Sequence, residues 1–408
     1  MKVGILTYHC VSNFGAQLQT ISSLGYFKSR GYEPIVLHWF PEDLENFYKA
    51  EVPMCQYMEQ MKFAETMMPL SNLCRSVEDV ANEIKRLGIE AVFIGSDALF
   101  DYTPIKNRSH FSFKKLRFES IGTVGATHDL PNAFWGGFND FLSKPVKCAG
   151  FSISSQNAAY FRYSRTELKE LKRLLTNFCF LSLRDEWTCK MVKYIGYQGD
   201  AHLTPDPVFA FNHNNQFGIT KKEILKKYKL PEDYVLISFC QDKLDNSFID
   251  GIIKEIEKRS NYRCVSFPMP RKLKKYDTRH KIELPLNTLD WYYLIKYSRG
   301  YIGELMHPII VCLHNAVPFY CFDQYGAYKT IIPMIWHKQL PKSSKIYDIL
   351  YRADFLSNVV SYQSKELPTV ERVVEKFLSF DTDKCKLFAE KMLEDYLSEM
   401  HLVEQSLI

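Results

Sequence analysis

Met306-His307-Pro308 stands between a strand-like segment, Arg299 to Gly303, and an apolar run, Ile309 to Leu313. An imidazole at such a junction sits at the carboxyl edge of a sheet, where open α/β folds carry their chemistry. It is the side chain whose ordinary pKa lies nearest neutrality, so it can give or take a proton; the competing reading is a packed core histidine. Ser96-Asp97 follows the short apolar strand Ala91 to Gly95 in the same way. Asp97 reads either as a cap or loop residue or as a base for a hydroxyl, and Ser152, at the end of the strand Val146 to Ser152, has the same two readings. Asn13 and Gly15 occupy the turn after the first strand, where they serve the turn itself or offer backbone and amide donors to an anion or a sugar at a helix N-terminus. The basic run Arg271-Lys272-Leu273-Lys274-Lys275 is either solvated or a contact for a phosphate. Ser343, Ser344 and Lys345, at a helix start, are further phosphate donors.

The elements that must position these residues alternate. A strand from Val3 to Tyr8, a helix from Ala16 to Arg30 and a strand from Pro34 to His38 form a βαβ opening, which predicts a parallel sheet. Further units follow: a helix Val77 to Leu87, the strand at Ala91, the strand ending at Ser152, a helix Ser164 to Leu175 and a strand Cys179 to Leu183. The polar stretch from Asn212 to Lys229 ends at Leu230-Pro231-Glu232-Asp233, and a fresh strand, Tyr234 to Phe239, opens a second series. That series has a helix Ser247 to Arg259, a strand Arg263 to Phe267, a helix Leu289 to Ser298 and strands at Tyr301 to Gly303 and Val317 to Phe322. The sequence therefore predicts two Rossmann-like α/β domains, residues 1–228 and 229–380, with a ligand cleft between them. A C-terminal helical segment, residues 381–408, is expected to pack back on the first.

Composition bounds the function. The chain has 408 residues, beyond the size at which one core stops growing, and its net charge of +5 is spread along the length, which disfavours a nucleic-acid stripe. Eleven cysteines with no C-x-x-C pair read as reduced core thiols, so the expected compartment is the cytoplasm. No apolar run approaches bilayer-spanning length. The P-loop, the G-x-G-x-x-G dinucleotide motif and H-E-x-x-H are missing, which withdraws support from P-loop ATP hydrolysis, ordinary NAD binding and zincin proteolysis. Asp381-Thr382-Asp383 is read as a capping connector, and no metal is assigned.

Taken together, Lys2-Val3-Gly4-Ile5-Leu6-Thr7 with Asn13-Phe14-Gly15-Ala16-Gln17-Leu18-Gln19, Gly95-Ser96-Asp97, Phe134-Trp135-Gly136-Gly137-Phe138, Ser182-Leu183-Arg184-Asp185, Asp206-Pro207, Met306-His307 and Lys342 to Leu350 resemble the polysaccharide pyruvyl transferase family over nearly the whole chain. The resemblance implies a fold like that of GT-B glycosyltransferases, phosphoenolpyruvate as donor with no separate cofactor, and a sugar diol as acceptor. It places the family's functional pair on Arg184 and His307, and it adds Gln19 and Ser96 to Asn13, Gly15, Asp97 and Ser152 as substrate contacts. A guanidinium is a planar fork matched to a carboxylate or phosphate. The plain reading of Arg184 is instead an ion pair with Asp185 or Glu186 at a helix start.

One position departs from the family pattern: where members carry arginine or serine two residues before the junction histidine, this chain has Leu305. Arg271 or Lys345 is expected to supply the missing donor. The expected acceptor is a surface glycan or its lipid-linked precursor, with peripheral contact at the inner face of the membrane. The alternatives are a GT-B glycosyltransferase using a nucleotide sugar and a non-catalytic glycan-binding relative.

Overall fold

The computed structural model describes residues 1–104, 109–112, 117–120, 125–156, 158–239, 244–270, 276, 278–325, 344–362, 364 and 366–407. Arg271 and Ser343 lie outside the described residues. Fourteen strands are described. In chain order they are β1 (Lys2–Leu6), β2 (Glu33–Val36), β3 (Ala91–Ile94), β4 (Ser109–Ser112), β5 (Arg117–Ser120), β6 (Lys147–Ile153), β7 (Phe178–Leu183), β8 (His202–Leu203), β9 (Tyr234–Ser238), β10 (Arg263–Ser266), β11 (His280–Lys281), β12 (Gly300–Gly303), β13 (Phe319–Asp323) and β14 (Val359–Ser361).

They build two six-stranded parallel sheets and one antiparallel hairpin, β4-β5. The first sheet runs β2-β1-β3-β6-β7-β8 and the second β11-β10-β9-β12-β13-β14. The second order is that of a doubly wound dinucleotide-binding fold, with its reversal between β9 and β12; the first reverses between β1 and β3. Both sheets carry helices on their faces. That is why β3 (Ala-Val-Phe-Ile) and β9 (Tyr-Val-Leu-Ile-Ser) are buried along their whole length instead of alternating. The architecture is two Rossmann-like α/β halves in a GT-B arrangement.

The helices begin and end on local chemistry. Ser76 and Asp79 form a capping box at the start of Val77–Leu87, and Gly88 ends it in the left-handed region at φ 65. The polar stretch read only as a boundary contains a helix, Lys221–Tyr228, started by the capping box of Thr220 and Glu223. The strand expected from Val317 begins at Phe319, because Ala316 caps the preceding helix in the left-handed region and Pro318 has no amide proton to pair. The edge strands β8, β11 and β14 are two or three residues long and leave almost no periodic signal.

Contacts across the halves fix the cleft between the two reversals. The Phe14 ring stacks on Trp291 with centroids 5.2 Å apart. Gln56 donates to the carbonyl of Leu286 at 3.0 Å and accepts from its amide at 2.7 Å. The long helix Thr382–Leu407 touches both halves: Glu404 pairs with Arg30 at 3.0 Å and Glu399 with His202 at 2.6 Å, while the Cys385 thiol lies against the Leu313 carbonyl. Among the described residues, no helix is long and apolar enough to cross a membrane.

Candidate active site

A cavity of about 700 Å³ opens where the two sheet reversals face each other. From the first half it takes Asn13 and Gly15 after β1, Asp97 and Asp101 after β3, and Arg184 after β7. From the second come Leu305 and His307 after β12, together with Lys345 at the start of the helix Lys345–Arg352. All of these are carboxyl-edge connections, the place where parallel sheets leave backbone and side chains free for a ligand.

Asn13 caps the helix Phe14–Ser29: its side-chain oxygen accepts from the Gly15 amide at 3.0 Å, which turns Gly15 toward the opposite half. A Cβ on Gly15 would lie 1.9 Å from His307 Cγ and 2.2 Å from Cδ2, so the imidazole packs flat against the glycine backbone. The ring is thus positioned by a contact between halves. Its Nε2 is buried and has no partner among the described residues. Burial pulls the His307 pKa below its ordinary value; the carboxylates of Asp97 and Asp206 oppose this, while Arg184 and Lys345 add to it. The imidazole is therefore neutral at pH 7.

Arg184 is 3% exposed, and its guanidinium bridges two carboxylates, Nη1 to Asp206 at 2.8 Å and Nη2 to Asp97 at 3.0 Å. This corrects both expectations for the residue. It does not pair with Asp185, which instead caps the helix Glu186–Ile195 through Thr188. Nor is its fork free, because both terminal nitrogens are held by protein carboxylates; only Nε is unpartnered. Asp206 also accepts from Gln19 Nε2 at 2.6 Å. Gln19 is wholly buried behind the cavity wall, so the substrate contact expected of it is replaced by a bond that orients Asp206.

Asp97 sits at φ 94, in the left-handed region, where a side chain other than glycine is strained. Its carboxylate accepts from the Ala98 amide at 2.8 Å as well as from Arg184, and no helix follows for it to cap. Burial alone would raise its pKa, but Lys345, Arg184 and His307 hold it down at about 2. Leu305, at φ 76, is a second strained residue of the cavity wall, at the entry of the helix Met306–Asn315. The two strained turns bring the acidic and the imidazole side chains to one cavity.

The expected contacts at Ser96 and Ser152 are not made in this geometry. Ser96 is fully buried, with its carbonyl accepting from Thr7 Oγ1 at 3.0 Å; Ser152 is fully buried beneath the Ser182 hydroxyl and the Thr204 carbonyl. Ser344 is spent as the cap of its helix and bonds Asp323. Its neighbour Lys345 does face the cavity, 3.8 Å from Asp97, and burial next to Arg184 lowers its pKa to about 8. The formal charges of Arg184, Lys345, Asp97 and Asp206 cancel. The ammonium is the cation of this group that is not hydrogen-bonded to a carboxylate.

Asp101, four residues beyond Asp97, was not singled out from the sequence. Its carboxyl lines the cavity, and burial raises its pKa to about 6 against the opposing charge of Lys345. Two carboxylates in one cavity, one near 2 and the other near 6, are the arrangement from which an electrostatic partner and a proton carrier are drawn. Tyr8, Phe47 and Tyr48 on one side and Trp291 on the other give the remaining wall an aromatic surface.

A model of the polysaccharide pyruvyl transferase family matches residues 13–324, which include Asn13, Gly15, Asp97, Asp101, Arg184 and His307 of the site. The chain belongs to the polysaccharide pyruvyl transferase family. Lys345 and its helix lie beyond the matched segment. No curated protein matches the chain by sequence. Among solved structures, UDP-GlcNAc 2-epimerase from Neisseria meningitidis bound to UDP-GlcNAc is similar at a TM-score of 0.54 and 9% identity, covering 100% of this chain and 99% of that one. Arabidopsis thaliana UGT89C1 complexed with quercetin gives 0.54 and 10%, again covering 100% and 99%. A putative UDP-N-acetylglucosamine 2-epimerase from Listeria monocytogenes gives 0.50 and 10%, covering 97% and 91%. At these identities the likeness is one of fold, and it places this transferase among two-domain GT-B structures.

Proposed function

We propose that this protein transfers pyruvate from phosphoenolpyruvate to two hydroxyls of one sugar in a surface polysaccharide or its lipid-linked precursor, forming a cyclic ketal and releasing phosphate. The observation that carries this reading is the meeting, in one cavity, of His307 from one half with the Asp97-Arg184-Lys345 group of the other.

The overall step needs a proton on the donor's methylene carbon, a new bond from one hydroxyl to the central carbon, departure of phosphate, and closure by the second hydroxyl. Two hydroxyl protons are lost; one balances the methyl group formed and the other leaves with phosphate. Neutral His307, with Nε2 free, takes a hydroxyl proton. Lys345, with its pKa near 8, is charged at pH 7, meets the donor's anionic end and can release a proton there. Asp101, near 6, is ionised at pH 7 and serves the second hydroxyl. Arg184 and Asp206 act behind these groups by fixing Asp97, and the aromatic wall offers a surface for the apolar face of a sugar ring.

Calorimetric titration with phosphoenolpyruvate, beside a panel of nucleotide sugars, tests the donor. Binding of phosphoenolpyruvate that weakens in Lys345→Gln supports this reading. Binding of a nucleotide sugar with indifference to phosphoenolpyruvate overturns it in favour of a glycosyltransferase.

A further inference from the structure

Behind the cavity wall, at the carboxyl ends of the neighbouring strands β1 and β2, lies a second group of chemically capable side chains. His9 Nε2 is 2.8 Å from His38 Nδ1, and Cys10 Sγ is 3.7 Å from the same His38 nitrogen. The three atoms all lie within 4.8 Å of one another, and His9 and Cys10 are 1% and 2% exposed. We propose that His9, Cys10 and His38 bind one Zn²⁺ ion.

Tautomer logic aims the lone pairs inward. His9 Nδ1 is 3.0 Å from the Thr7 carbonyl, which can only accept, so Nδ1 carries the proton and Nε2 presents its lone pair to the group. A backbone carbonyl on the far nitrogen is the arrangement that orients metal-bound histidines. Without a metal, His38 Nδ1 must then donate to His9 Nε2. With one, His38 carries its proton on Nε2 instead, the Cys10 thiol releases a proton, and Zn²⁺ bonds to two nitrogens and a thiolate.

The ligands are already anchored. The His38 amide donates to Ser71 Oγ at 2.9 Å, the His9 carbonyl accepts from Gln17 at 3.3 Å, and the two imidazoles meet edge to face at 5.0 Å. Bond lengths of about 2.0–2.1 Å to nitrogen and 2.3 Å to sulfur put tetrahedral ligand atoms roughly 3.3–3.6 Å apart, so the histidine pair needs to open by only about 0.5 Å. Two imidazoles and a thiolate suit zinc and exclude magnesium and calcium, which take oxygen ligands. The ion would tie the ends of β1 and β2 together and fix the turn that carries Asn13 and Gly15 against His307.

The test uses the full chain without a polyhistidine tag, stripped with a chelator and dialysed against stoichiometric Zn²⁺ or Co²⁺. Elemental analysis is expected to give one zinc per chain in the wild type and in Cys55→Ser, an exposed thiol that serves as control. Cys10→Ser and His38→Gln are expected to weaken binding by more than about tenfold. The Co²⁺ form is expected to show tetrahedral ligand-field bands with a thiolate charge-transfer band that Cys10→Ser removes. If the variants do not fold, the wild-type cobalt spectrum decides. Less than about a tenth of an ion per chain, cobalt binding with no sulfur band, or stoichiometric zinc in the Cys10→Ser, His38→Gln double variant overturns the site and leaves a hydrogen-bonded histidine pair.

Discussion

Gly15→Ala isolates the contact that joins the two halves of the site. The added methyl would stand 1.9 Å from His307 Cγ, whereas ordinary contacts begin at 3.4 Å. The interior cannot compress to absorb this, so the ring must retreat by about 1.5 Å. A displacement of about 1 Å at a reacting group costs on the order of 10²-fold, equivalent to ~2.7 kcal/mol of activation free energy. The backbone itself loses nothing. Alanine is preferred over glycine in a helix by about 0.5–1 kcal/mol, which partly offsets an overpacking cost of about 1–3 kcal/mol. We therefore expect a folded protein, destabilised by no more than ~2.5 kcal/mol, whose phosphoenolpyruvate-dependent phosphate release falls about a hundredfold in kcat. Thermal unfolding of a double-mutant cycle with His307→Ala supplies a check independent of substrate. The three nearest contacts of the new methyl are all ring atoms, so its cost should vanish once the ring is removed. Wild-type kcat in Gly15→Ala, or an equal cost in both backgrounds, would refute the claim that this contact positions the imidazole.

Asp101→Asn should lower kcat by about 10²-fold or more while stabilising the protein. Its pKa is raised to about 6, so the folded state holds the proton more tightly than the unfolded chain and stability falls as pH rises from about 4 to 6. Removing that ionisation should therefore raise the melting temperature at pH 7 by an amount corresponding to roughly 1–3 kcal/mol; a lower melting temperature would contradict the buried-carboxyl reading. The pH profile of kcat/KM should rise near 6 as Asp101 ionises and fall near 8 as Lys345 loses its proton. Lys345→Arg should move the alkaline limb upward, and an unmoved limb would assign it to another group. Arg184→Ala removes the cation that bridges buried Asp206 and Asp97, leaving Asp97 with Lys345 alone, and is expected to cost about 3–5 kcal/mol in chemical denaturation; a loss under about 1 kcal/mol would show that the bridge is not structural.

How much of this was legible differs by element. The βαβ rhythm is written in side-chain types because a strand buried on both faces must be apolar throughout, so β3 and β9 stand out. The junctions after the strands are equally plain, since a polar or titratable residue in the connection that leaves a parallel strand lies at a carboxyl edge. Asn13, Asp97 and His307 were reachable that way. Asp101 left no such mark: it follows Ala98, Leu99 and Phe100 in a loop, and its raised pKa comes from burial by residues distant in the chain. Gln19 entered through the family resemblance and Ser152 through its place at a strand end, yet packing turns one toward Asp206 and shuts the other beneath Ser182 and Thr204. The partner of Arg184 shows the limit most clearly. Neighbours in sequence suggested Asp185, but strand order brings Asp97 and Asp206 to the guanidinium from two other connections. The sequence by itself determined which strand ends carry chemistry, because burial dictates residue type locally. Only the tertiary structure decided which charges neutralise one another and which remain for a substrate, because electrostatic pairing depends on distances between segments far apart along the chain.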